Sequence, residues 1–284
     1  MMTAIVGYIL VILFVFGGYA ASGGHILLIF KPWYEYIIIG GAALGGLIVK
    51  TSPRTLKLVI QKALGAFKGK TVSRELYMNS LRLIHDLAFL ARREGLLALE
   101  THIQSPDNSS IFQKYPNVLQ NRRLISFLTD NLKIVIVGGT GAADLEVLMD
   151  TDIETIEEES AAPQMIIANT ADALPALGIV AAVMGIIKTM ASIAEGPEVV
   201  GMKVAAALVG TFLGVLLSYG FVGPLATNIE MQNQEENRLL QLYKAGILGI
   251  MRGLNPKLSA EYARRAIYDG LRPSFEELEQ TLKG

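Results

Sequence analysis

The 284-residue sequence predicts an all-α fold: a polytopic membrane protein with four transmembrane helices and a helical cytoplasmic domain. Three observations predict it. Apolar residues make up 51% of the chain and charged residues only 18%, with a mean hydropathy of +0.41, too apolar for an ordinary soluble domain. Several apolar runs are long enough to cross a bilayer at 1.5 Å rise per residue. The basic residues cluster on one side of those runs.

The first run, 3–21, lacks a basic leader and is longer than a signal-peptide core, so it reads as a retained span. The second, 34–49, is shorter, and Trp33, Tyr34 and Tyr36 at its start form an interfacial aromatic belt. Together they make residues 1–50 the first membrane region. Residues 51–163 form a cytoplasmic segment too long for a connector. Its pattern predicts a basic amphipathic stretch over 53–68, then helices over 71–104, 118–137 and 142–159, with a Pro/Asn/Ser break at 105–117. The stretch 54–68 fits either a helix on the anionic lipid of the inner leaflet or an ordinary surface helix. The third and fourth spans lie within 164–226, as the apolar runs 173–190 and 204–226. Residues 227–284 continue as a polar helix to about 252, followed by two short helices over 257–268 and 274–283.

Arg54, Lys57, Lys62, Lys68, Lys70 and Arg74 follow the second span, and Arg238 to Arg272 follow the fourth. The two short connections hold little beyond Lys31 and Lys203. Both termini and the middle segment are therefore expected in the cytoplasm. The formal net charge of −1 gives no basis for a nucleic-acid partner, and the absence of cysteine excludes disulfides and thiolate metal sites.

The third and fourth spans are the most informative. Pro175, Gly178, Ala182, Gly185 and Thr189 share one helix face, and Ala207, Thr211, Gly214 and Ser218 do the same in the fourth span. Stripes of small residues let another helix approach closely. The third span leaves the cytoplasm and the fourth returns, so Pro175 and Pro224 are expected at one depth, as a paired hinge. Asp172 and Lys188 only flank the third span and Glu35 lies at the edge of the second, so no mid-membrane carboxylate is expected. Either the chain moves no ions or a partner helix supplies the acid.

Other motifs carry less. Gly65 to Thr71 is one residue short of a phosphate loop, and the run Ile134 to Gly141 lacks the third glycine of a dinucleotide turn. The three histidines lack metal-ligand spacing, and no nucleophile, base and oxyanion site assembles, so neither an enzyme nor a metal or cofactor site is expected. On a helix over 71–104, Arg92 and Glu100 would lie two turns apart, with Arg93 and Glu94 adjacent. This patch reads as a solvated charged face or as a docking surface.

These residues coincide with a known family. The chain resembles the MotA family of flagellar motor stator proteins at Val15-Phe-Gly-Gly-Tyr19, at Ile111-Phe112 with Tyr115-Pro116, and at Leu174-Pro175-Ala-Leu-Gly178 through Gly185. It is similar again at Val209-Gly210-Thr211-Phe-Leu-Gly214, at Gly223-Pro224-Leu-Ala-Thr227 and at Arg272-Pro-Ser-Phe through Glu279. The resemblance implies a homopentamer around a dimer of the single-span partner MotB, whose helix supplies an ion-binding aspartate. It also implies torque on the rotor protein FliG. Pro175 and Pro224 match the family's paired prolines, Thr211 its polar residue facing the partner's aspartate, and Arg92 and Glu100 its charged rotor-contact positions. Sodium-driven relatives look to have threonine at the position of Ala182, which here offers no side-chain ligand. A proton is therefore the expected ion, sodium less so. The alternatives at this stage are an ExbB- or TolQ-like energiser and an autonomous four-span transporter.

Overall fold

A computed structural model describes residues 2–68 and 72–283. Gly69, Lys70 and Thr71, which close the phosphate-loop-like stretch, lie outside them. In chain order the helices are α1 (Met2–Ala21), α2 (Ile26–Phe30), α3 (Trp33–Lys50), α4 (Pro53–Lys68), α5 (Arg74–Glu94), α6 (Glu100–Gln104) and α7 (Pro116–Leu119). They continue as α8 (Arg122–Val137), α9 (Ala142–Met190), α10 (Pro197–Leu217), α11 (Gly223–Met251), α12 (Pro256–Arg265) and α13 (Phe275–Lys283). The all-α expectation is met.

Three of the membrane-length runs satisfy length and composition among the described residues: α1, α9 and the run Pro197–Met251. The fourth expected span rests on α3. Its 18 residues include Glu35 in the first turn and Lys50 in the last, and it does not reach the same apolarity.

Local chemistry fixes the helix ends. Ser73 caps α5 by accepting from the Leu76 N–H at 3.1 Å, Asn121 caps α8 through Leu124, and Asn255 caps α12 with Pro256 in its first turn. The single helix expected over 71–104 is corrected. It ends at Glu94 because Gly95 takes φ +87°, and a 3₁₀ turn over Leu96–Leu99 then re-aims the chain into α6. The helix expected over 142–159 and the third span are one uninterrupted 49-residue helix, α9, with Pro163 and Pro175 inside it.

The chain divides into two compact units, Met1–Lys70 with Glu159–Met231 and Thr71–Glu158 with Gln232–Gly284. In the first, α4 packs through Val59 and Ala66 against Ile167 of α9 and Ala226 and Ile229 of α11. The α1 helix leaves Ile9, Leu13 and Phe14 exposed, as a helix in lipid does.

The second unit is built on an ordinary core. Tyr77, Leu81, Ile84 and Leu87 of α5 meet Leu128 and Leu132 of α8, Leu145 and Met149 of α9, and Leu239, Tyr243 and Ile247 of α11, all fully buried. Two close approaches fix this packing. A Cβ on Gly246 would lie 2.6 Å from Ile84, and Tyr243 donates to Ser80 at 2.9 Å inside the core. Burial raises the Tyr77 phenol to about 12.

At the edge of this core Asp86 accepts from Lys114 at 3.0 Å and from Tyr115 at 3.1 Å. Burial alone would raise its pKa, but the bonds from His85, Lys114 and Tyr115 together outweigh it and hold the carboxyl below the usual range. Because the folded value is depressed, the associated stability is present above the unfolded pKa and is lost as pH falls through the folded one. Asp86→Asn should lower stability at neutral pH by about 1–3 kcal/mol. Denaturant unfolding of the detergent-solubilised protein should show the gap to wild type closing in acid.

Candidate functional site

The small-residue stripes of the third and fourth spans mesh with each other. A Cβ on Gly178 would lie 2.6 Å from the Gly210 carbonyl oxygen, and one on Gly214 would lie 2.5 Å from the Leu174 carbonyl oxygen. Two turns further along α9, a Cβ on Gly185 would meet Ala207 at 2.7 Å. Only glycine admits such backbone contact, which replaces the hydrophobic drive that lipid does not supply. Ala182 and Thr189 are buried on the same face of α9, and Thr189 donates to its own Gly185 carbonyl at 2.8 Å. On α10, Ala207 is fully buried and Thr211 half-buried, and Ser218 at the end of that helix is buried. The opposite face of α9, with Ile179, Val183, Met184 and Ile187, is exposed and apolar.

This register corrects the expected pairing of the prolines. Leu174 and Gly178 sit against Gly214, so Pro175 is level with the end of α10. Pro224 lies two turns further on, where Ala226 and Ile229 pack with Ile167, roughly 12 Å closer to the α4 end at 1.5 Å per residue. The two span ends looked equivalent because each apolar run stops near a proline, but α9 and the α10–α11 run are offset along each other. Near the level of Pro175 lies instead a π-helical turn, Ser218–Val222, just before Gly223 and Pro224. There the Gly223 N–H reaches the Ser218 carbonyl five residues back, and the Tyr8 hydroxyl of α1 donates to the Phe221 carbonyl at 3.0 Å. The Tyr8 ring stacks on Phe221 at 5.4 Å. A proline thus loosens the fourth span one turn ahead of itself, and α1 braces the loosened turn.

Sequence reading missed Glu35. It is fully buried, and its carboxylate oxygens make no well-formed hydrogen bond, with only the Gly210 backbone N–H approaching as a donor. A Cβ on Gly210 would lie 2.8 Å from Oε2 and one on Gly185 3.5 Å from Oε1, so the carboxyl is wedged between α9 and α10. It stays at the start of α3, where the sequence places it, but is enclosed there by the neighbouring helices. The available signal was a lone Glu inside an aromatic cluster at the start of an apolar run; the glycines that enclose it lie on two other helices.

The charged patch belongs to the second unit. Arg92, Arg93, Glu94 and Glu100 are all exposed. Arg93 pairs with Glu94 and its guanidinium lies 5.7 Å from the Phe89 ring, while Glu100 accepts from Gln104 at 2.9 Å. The break at Gly95 removes the continuous helix on which Arg92 and Glu100 were expected to share a face. What the structure provides is a basic helix end, favourable at the C-terminal dipole, followed by an acidic helix start.

Fold and site define a helical membrane protein with two tightly meshed spans. Residues 5–95 match the motility protein A N-terminal model, and residues 119–241 match that of the MotA/TolQ/ExbB proton channel family. Motility protein A of Salmonella typhimurium is 38% identical over 99% of this chain and 95% of its own length. That of Escherichia coli is 36% identical with the same coverage. Chemotaxis protein LafT of Vibrio parahaemolyticus is 36% identical over 99% of this chain and 98% of its own. The solved C. jejuni MotAB structure superposes at TM-score 0.80 and 20% identity, covering 96% of this chain and 98% of that one. The chain belongs to the motility protein A family, within the MotA/TolQ/ExbB proton channel family.

The backbone contacts predict a sharp positional contrast. Gly178→Ala or Gly214→Ala should destabilise the detergent-purified protein by about 1–3 kcal/mol, because the atom in the way is backbone and cannot step aside. Gly201→Ala, where a Cβ meets nothing within 4 Å, should leave the melting temperature unchanged or slightly raised.

Proposed function

We propose that this chain is the A-type stator subunit of a bacterial flagellar motor. It resides in the inner membrane with four spans and both termini in the cytoplasm. Five copies surround a dimer of a single-span MotB-type partner, and proton flow through the assembly turns the ring of A subunits. The exposed residues Arg92, Arg93, Glu94 and Glu100 push the rotor protein FliG.

The observation that carries the reading is full-length likeness to motility proteins combined with the composition of the two meshed spans. Stretches 175–190 and 199–222 contain no Asp or Glu. The two wall helices thus bring no acid of their own to the ion path, which supports a principal ion-binding acid supplied by a single-span partner. Driving one charge across releases about 2.3 kcal/mol per 100 mV, enough to bias a two-state helix distortion. Pro175 and the π turn over Ser218–Val222 supply that distortion, and Ala182, without a side-chain oxygen, supports protons over sodium.

Co-expression with the neighbouring single-span protein, followed by native mass measurement, should return a complex with the partner in the minority; recovery of the chain alone would overturn the reading. Pro175→Ala should stop rotation while that complex still forms. Replacing external sodium by potassium should leave rotation unchanged, and a stalled motor under that exchange would rule out protons as the driving ion.

A further inference from the structure

The buried Glu35 carboxyl is not explained by packing. A carboxyl with both oxygens shielded from solvent and at most a weak backbone N–H contact from Gly210 is a costly choice where an apolar side chain would fill the same space. Its site is nonetheless built to admit it. Gly210 leaves room for Oε2 and Gly185 for Oε1, and both glycines belong to the helix faces that mesh.

A cleft adjoins the carboxyl's enclosure. The cleft, of about 480 Å³, lies between α1, α3, α9 and α10 at the end of the spans remote from Lys50, and Gly185 lines it. Oε1 lies behind this residue, which has no side chain to close the gap. Three lysines face the cleft from three elements. Lys31 precedes α3, Lys188 of α9 sits with its ammonium 5.0 Å from the Tyr34 ring, and Lys203 of α10 is held by Ser192 and by Glu195 at 3.0 Å. Tyr34 and Tyr19 also line it, and Tyr36, on the other side of Glu35, donates to the Ile29 carbonyl at 3.2 Å.

These surroundings pull in opposite directions. The wedge keeps water from the carboxyl, while the lysine-lined cleft beyond Gly185 is where water and positive charge are available. A group balanced in this way exchanges a proton when its surroundings hydrate and holds it when they close. We propose that Glu35 is a proton-holding group borne by this chain on the outer half of the ion path, separate from the partner's acid. In the exchange the carboxyl O–H bond breaks and the proton passes to a water in the cleft; the reverse step reloads the acid. This proposal rests on the proton-driven stator reading above.

The test uses the full chain assembled with its single-span partner. Glu35→Gln, which keeps the shape of the neutral acid but carries no exchangeable carboxyl proton, should co-purify with the partner at the wild-type ratio. It should lower rotation speed about tenfold at fixed driving force. Glu35→Asp should restore rotation with a displaced dependence on external pH, an effect that a packing role would not produce. In the wild-type complex in native membranes, an apolar carbodiimide should modify Glu35, and the adduct should fade as pH rises. Glu35→Gln rotating at wild-type speed with the wild-type pH profile would overturn the proposal. So would a Glu35 that the carbodiimide leaves unmodified throughout, a measurement that decides the matter even if the glutamine variant fails to assemble. A wild-type chain that neither binds the partner nor drives rotation would instead overturn the stator reading.

Discussion

The membrane unit depends on backbone contact between α9 and α10. Lipid tails are as apolar as leucine, so burying side chains does not by itself hold two helices together in a bilayer. Close packing must do it, and here Gly178, Gly210 and Gly214 bring main chain against main chain. The same contact sets the register of the two helices, and the register decides which residues share a level. It also creates the space behind Gly185 and Gly210 in which Glu35 sits. A single constraint therefore fixes the wall, the placement of its distortions and its one enclosed acid.

The second unit obeys different rules within the same chain. Its core of Tyr77, Leu81, Leu128, Leu145 and Tyr243 is stabilised by removal of apolar surface from water. Its polar groups at the rim are paired, as Asp86 is with Lys114 and Tyr115. α9 and α11 contribute to both units, so each of these helices changes character along its length. Leu145 and Met149 of α9 face inward in the second unit, whereas Ile179 and Met184 of the same helix stay exposed in the first. An exposed apolar face is a liability in water and the normal state in lipid.

Much of this was legible in the sequence, and the physical reason is periodicity. Long apolar runs and the small-residue stripes are local signals, and helices follow from them. The failures involve relations between elements. Gly95 reads as an ordinary helix residue until its φ of +87° is seen, and with it the shared face of Arg92 and Glu100 disappears. The level of Pro224 relative to Pro175 depends on inter-helix offset, which no single run encodes. Glu35 looked peripheral because its burial is made by glycines about 150 and 175 residues away in the chain.

The stripes also differ in what they leave available to a passing ion. Thr189, which donates to the Gly185 carbonyl, and Ser218 at the π turn are both fully buried, so neither oxygen is open to a passing ion. Thr211, half-buried on α10, retains exposure among the described hydroxyls of the two stripes. Ala182 offers no oxygen at all. A hard cation stripped of water needs several oxygen ligands at once, and one threonine on this chain falls well short of that set. A proton needs only a titratable acid and water to reach it. The scarcity of exposed hydroxyls on the wall is thus a second argument for the proposed proton use, separate from the Ala182 comparison.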